Sequence, residues 1–129
     1  MWAIETTDEF DEWFKGLDPE EQDEIDAKVH LLKAMGPLLA RPHADTLNGS
    51  RYANMKELRG RTAAAVLCIA FAFDPLQAGV LLIGGDKKGV SEKRFYKQLI
   101  DKADKLYERH LKVVERRKTD RDKKKDKGD

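Results

Sequence analysis

This chain contains one cysteine, Cys68, and four prolines. It has no apolar run approaching the ~20 residues that a membrane helix needs. A lone thiol excludes an internal disulfide and suits a reducing cytoplasm. The opening MWAIETTDEF is acidic where a secretory leader is basic and then apolar, so no leader is expected. His30, His43 and His110 are scattered, with no HxxxH or paired Cys/His spacing. That pattern offers no metal cage, and no cofactor or small-molecule substrate is expected.

What is present fits one domain: 129 residues are enough for a real core and few for two domains. The net charge of +1 conceals a segregation, because residues 1–40 hold eleven acids against Lys15, Lys28 and Lys33. That half carries −8 and the remainder +9. A basic half of this kind suits nucleic acid, while the acidic half faces solvent or a basic protein.

Trp2–Ile4 reads as a short strand. Phe10, Trp13, Phe14 and Leu17 recur at helical spacing behind Asp8 as N-cap. Asp18-Pro19-Glu20-Glu21 restarts a helix, with the acids at its positive end. Ile25, Val29, Leu32 and Met35 continue its apolar face to Gly36-Pro37. Residues 37–51 read as a connection. Tyr52–Arg59 has a mixed strand pattern, while Ala63–Phe73 and Val80–Ile83 read as buried strands. Gly84-Gly85 permits a sharp turn or a close approach. Ser91 is the expected cap of a last helix carrying Phe95, Tyr96, Leu99, Ile100, Ala103, Leu106, Tyr107 and Leu111. The order β-α-α-β-β-β-α predicts an α+β domain over 1–111, with helices on a small, mostly antiparallel sheet. Residues 112–129 are dense in charge and expected to be disordered.

Basic residues bracket the two apolar strands. Lys56, Arg59 and Arg61 precede the first, and Lys87 and Lys88 follow the second. A hairpin at Asp74–Gly79 places the start of one strand beside the end of the other. All five cations are then expected on one rim, a setting for a phosphate-bearing ligand. Lys56 and Arg59, three apart, point to opposite faces of an ideal strand and meet only at a strand end or bulge.

The ordered set Leu47-Asn48-Gly49-Ser50-Arg51, Asn54-Met55-Lys56-Glu57-Leu58-Arg59, Phe71-Ala72-Phe73-Asp74-Pro75, Gly84-Gly85-Asp86-Lys87-Lys88 and Phe95-Tyr96-Lys97 is distinctive. With Ile100, Ala103-Asp104, Leu106-Tyr107 and His110-Leu111, it resembles the RelE/ParE superfamily of toxins from type II toxin–antitoxin systems, in particular a HigB-type, phage-associated branch. The resemblance covers roughly residues 1–111. It implies a RelE-like fold and a ribosome-dependent mRNA endonuclease held in check by a cognate helix-turn-helix antitoxin. Its partners are then the ribosome and mRNA, with no membrane. Some superfamily members poison DNA gyrase instead, and a basic rim also suits a non-catalytic binding module.

RNA cleavage without a metal needs a base for the 2′-OH, fixed cations for the phosphorane and an acid for the leaving oxygen. Lys56 among other cations would have a lowered pKa and so serve as a base. Arg59 or Arg61 would fork onto phosphate. Glu57 is an alternative base, pointing away from Lys56. Tyr96 lies on the apolar stripe, a core position, yet near enough to the Lys87/Lys88 turn to stack or donate a proton. Asp86 is expected to pair with a rim cation, Cys68 to be core, and His110 to sit at a helix end, where a cation suits the dipole. The charged tail is expected to add contact to RNA.

Overall fold

The computed structural model describes residues 1–127. Its backbone is a five-stranded mixed sheet in the order β1-β5-β4-β3-β2. The strands are β1 (Ile4–Thr6), β2 (Ala44–Thr46), β3 (Lys56–Arg61), β4 (Val66–Phe73) and β5 (Gly79–Asp86). Helices α1 (Asp8–Lys15) and α2 (Pro19–Met35) cover one face, and α3 (Glu92–Lys127) covers the other. Every neighbouring pair is antiparallel except β1 with β5, which is parallel. The α+β class and the element order agree with expectation, apart from the extra strand β2 inside the expected connection. Three residues in a stretch rich in Pro, Asn and Gly carry too little alternation to read as a strand.

Apolar side chains of β4 and β5 go to both faces because both faces are covered. Cys68, Ala70, Ala72 and Val80 join Phe95, Leu99 and Tyr107 under α3. Leu58, Leu67, Ile69, Phe71 and Leu81 join Phe10, Ile25 and Leu32 under α1 and α2. Ala70 pairs with Ile83 but Phe71 with Leu81, so Leu82 is an extra residue, a bulge that re-aims the end of β5. There the glycines serve close approach. A Cβ on Gly84 would stand 2.3 Å from the Trp13 ring, and one on Gly85 2.9 Å from Phe95.

Local chemistry sets the helix ends. Thr7, not Asp8, caps α1: its Oγ1 accepts from Phe10 N at 2.9 Å and donates to Leu82 O at 2.6 Å, tying the helix to β5. Asp18 and Glu21 form a reciprocal capping box on α2. Ser91 caps α3, its Oγ accepting from Arg94 N at 3.2 Å. The segment expected to be disordered from Lys112 onward is helical as far as Lys127. Val114 is fully buried there, and Arg117 Nη1 donates to Glu5 Oε2 at 2.8 Å. Tertiary anchors of this sort hold a helix that composition alone would not. Residues 128–129 lie outside the described residues. No helix among the described residues is long and apolar enough to cross a membrane.

Candidate active site

Alternation along β3 sorts its polar residues between the two faces. Leu58 and Gly60 face α2, where a Cβ on Gly60 would meet Glu24 and Ile25. Lys56 shares that face, and its Nζ donates to Pro37 O at 3.1 Å. Glu57 and Arg59 face α3. Arg59 stands opposite Cys68, and Glu57 meets Tyr96 of α3.

These residues form one polar knot. Glu57 Oε1 accepts from Arg59 Nε at 3.0 Å and Nη2 at 2.7 Å, while Oε2 accepts from the Tyr96 hydroxyl at 2.8 Å. The Glu57 side chain is only 4% exposed, against 39% for Arg59, so a buried carboxylate is satisfied by a guanidinium that reaches solvent. Lys87 Nζ approaches the Tyr96 hydroxyl at 3.5 Å and Glu92 at 3.4 Å, and lies 5.5 Å from the Tyr96 ring centroid. Cys68 Sγ is 3.8 Å from the same hydroxyl.

The electrostatics follow from this packing. Hydrogen bonding to Glu57 holds the Arg59 guanidinium above its ordinary value. Burial first, and then the bond to Glu57, push the Tyr96 phenol far up, so it keeps its proton. Burial pushes the Cys68 thiol up to about 11, which makes it an inert core group. Asp45 lies 3.5 Å from Arg59 Nη2 and 2.8 Å from Arg41 Nε. The Thr46 amide and then Arg41 hold its carboxyl below the usual range.

Two hollows open around the knot. One of about 350 Å³ is lined by Asp45, Asn48, Glu57, Arg59, Lys87 and Tyr96. The other, of about 430 Å³, is lined by Glu24, Lys28, Arg59, Arg61, Cys68 and Lys87. Arg59 and Lys87 border both.

Of the five expected rim cations the structure gathers four. Arg61 pairs with Val66, and Lys87 N donates to Val66 O at 2.9 Å, so the end of β3, the start of β4 and the end of β5 meet. Lys88 Nζ reaches over the β3–β4 turn to Ala63 O at 3.2 Å. Lys56 is not on this rim. It pairs with Phe71 at the opposite end of β3, roughly 16 Å from Arg61 by strand rise. Asp86 does not pair with a cation either: its Oδ1 accepts from Val66 N and Lys88 N, each at 3.0 Å, and so shapes the turn. His110 lies mid-helix, and its Nε2 contacts Asp74 Oδ2 at 2.8 Å. Tyr96 is half-buried against the core, as its place on the apolar stripe predicts, and its hydroxyl turns to Glu57 and Lys87. Glu57, weighed in the sequence only as an alternative base, is the centre of the knot. The signal for it is its i, i+2 spacing to Arg59.

A buried carboxylate, a phenol that holds its proton and a rim of cations supply an acceptor, a donor and anion stabilisation within one cleft. Residues 12–108 match the family described as Phage derived protein Gp49-like (DUF891). The chain is 39% identical over 114 residues to the candidate toxin HigB2 of Mycobacterium tuberculosis, covering 88% of this chain and 56% of that protein. It is 38% identical over 109 residues to the candidate toxin HigB3 of the same organism, covering 84% and 93%. The chain thus spans little more than half the length of HigB2 but nearly all of HigB3. It belongs to the Gp49-like family. Through these relatives it is a homologue of HigB-like toxins in the RelE/ParE superfamily.

Proposed function

We propose that this protein is the toxin of a type II toxin–antitoxin pair, from the phage-associated HigB branch, and that it cleaves mRNA in the ribosomal A site. The observation that carries the reading is the buried Glu57 carboxylate, shared by Arg59 and Tyr96 at a cation-lined cleft. In the proposed reaction a 2′-oxygen attacks the adjacent phosphorus and loses its proton to Glu57. The bond from phosphorus to the 5′-oxygen breaks, leaving a 2′,3′-cyclic phosphate and a free 5′-hydroxyl.

Arg59 retains its Nη1 donors for the phosphorane, because Nε and Nη2 are the atoms engaged with Glu57 and Asp45. Lys87, Arg61 and Lys88 add positive charge at the same end of the sheet. Tyr96 gives its proton to the leaving oxygen, and Lys87 stabilises the phenolate. The bond between Glu57 and Tyr96 then returns the first proton to the phenol, restoring both groups. Exposed Arg94, Lys105, Lys112 and Arg116 lie along the outer face of α3 and extend contact to ribosomal RNA.

The test is induction of the gene in a bacterium, with RNA 5′ ends and DNA breaks mapped together. New 5′-hydroxyl ends within translated mRNA, lost in Arg59→Ala, support the reading. DNA breaks with intact mRNA would instead establish a gyrase poison, and neither would leave a binding module.

A further inference from the structure

Helix α2 is apolar on two sides. Its inner side packs Ile25, Val29 and Leu32 on the sheet. On its outer side Ala27, Leu31, Ala34, Met35 and, past the helix end, Leu38 follow one another at i, i+4, i+7, i+8 and i+11, the spacing of a helical stripe. Leu31 is 37% exposed, Met35 45% and Leu38 80%, three of the five exposed large apolar residues described. Ala34 joins the stripe to a concavity of about 410 Å³ lined by Met1, Trp2, Ala3 and Gln77. Exposed apolar residues that line up along one helix face suit an interface.

Charge states the kind of partner. The outer side of the N-terminal half of α2 presents Glu20 and Asp23, both exposed and without an ion pair among the described residues. Of the helix's two lysines, Lys28 is held at 2.8 Å by His43, and Lys33 is half-buried. A ligand that matches has an apolar helical stripe flanked by Lys or Arg. A DNA-binding protein carries such basic charge as a matter of course.

We infer that this outer face of α2 is where the helix-turn-helix antitoxin docks, through a basic amphipathic segment. The inference rests on the toxin reading above. The apolar end of this face is remote from the cleft, whereas Glu24 and Lys28, nearer the start of the helix, line the larger hollow. Ala3 O accepts from Gly79 N at the start of β5, whereas Lys87 follows its end, and eight residues of strand span roughly 26 Å. The apolar stripe Leu31, Met35 and Leu38 is therefore separate from the cleavage residues.

The experiment uses the full chain and the purified helix-turn-helix protein encoded beside its gene. Leu31→Ser/Met35→Ser/Leu38→Ser is expected to weaken binding at least a hundredfold, with mRNA cleavage and the melting temperature retained. Glu20→Lys/Asp23→Lys, a purely polar change, is expected to weaken it about tenfold and to flatten its salt dependence. Glu57→Gln is expected to bind as the wild type does. Wild-type affinity in both face variants, or loss of binding in Glu57→Gln, overturns the inference. So does a concentration-dependent dimer that the serine variant abolishes, since the face then takes a second copy. Absence of cleavage by the wild type, with binding lost in the face variants, sinks the nuclease reading alone.

Discussion

Two buried carboxylates both bond to side chains of α3 and end up in different employment. Glu57 takes both of its partners from side chains, Arg59 and Tyr96, and beside it two hollows open to solvent. Asp74 accepts at Oδ1 from the backbone N–H groups of Leu76 and Ala78, at 2.9 and 3.0 Å, and its Oδ2 meets His110 at 2.8 Å. Asp74 lines neither of the two hollows beside the knot. Backbone partners fix a turn and cannot be withdrawn without unmaking it, whereas side-chain partners can swing toward a ligand. Burial of a charge alone therefore does not mark a site; mobile partners beside open volume do.

The sharpest way to break this comparison is to remove each carboxylate in turn. Glu57→Gln keeps the shape but loses the proton acceptor, and mRNA cleavage is expected to fall about 10²- to 10⁴-fold while the fold persists. Cleavage rates on programmed ribosomes, with circular dichroism as the control, check this. Asp74→Ala is expected to do the reverse. It strands His110 and two backbone donors, costing about 2–4 kcal/mol in denaturant unfolding, and leaves cleavage unchanged at low temperature. A catalytic loss in the folded Asp74 variant would erase the distinction.

Alkali acts beside both carboxylates, on Cys68 and Tyr96 near Glu57 and on Tyr107 near Asp74. The Cys68 thiol, raised from 9.0 to about 11, keeps its proton in the folded state while an unfolded chain loses it. Its contribution is thus fully present below pH about 9 and is lost as pH rises through about 11. Urea midpoints measured from pH 8 to 11 are expected to fall, and Cys68→Ala to flatten part of that slope, by up to about 2 kcal/mol. Tyr96 and Tyr107, both also raised by burial, contribute to the slope that remains.

The smallest effect separates the two lysines. Lys87→Ala is expected to slow cleavage about tenfold, consistent with the loss of one stabilising charge at the phosphate. Lys56→Ala, on the other face of β3, is expected to change cleavage less than twofold and stability within about 0.5 kcal/mol.

The fold was largely readable because its helices and inner strands each carry a clear period, as in Phe10–Leu17 or Leu67–Phe73. The site was readable in part. Antiparallel pairing brings Arg61 to Val66 and to Lys87, and the chain order of those three strands implies as much. Lys56 was drawn into the same rim because the strand was expected over Tyr52–Arg59. Started at Lys56 instead, β3 carries that residue to the far end. Tyr96 and Glu57 are 39 residues apart, and nothing local announces their bond. His110 was expected at a helix end because the periodicity fades after Leu111. The buried Val114 and the Arg117–Glu5 pair that prolong α3 are tertiary facts.

The two glycines at the end of β5 have a genetic consequence. Trp13 presses on position 84 and Phe95 on position 85, and Lys87 follows at once. Almost every base change in the first two letters of a glycine codon installs a side chain, and at either position that side chain displaces a ring and the strand beneath it. On the proposed toxin function, survivors of induction should carry lesions at these two codons well above their share of the gene. They are expected to outnumber lesions on the longer, more forgiving surface of α3.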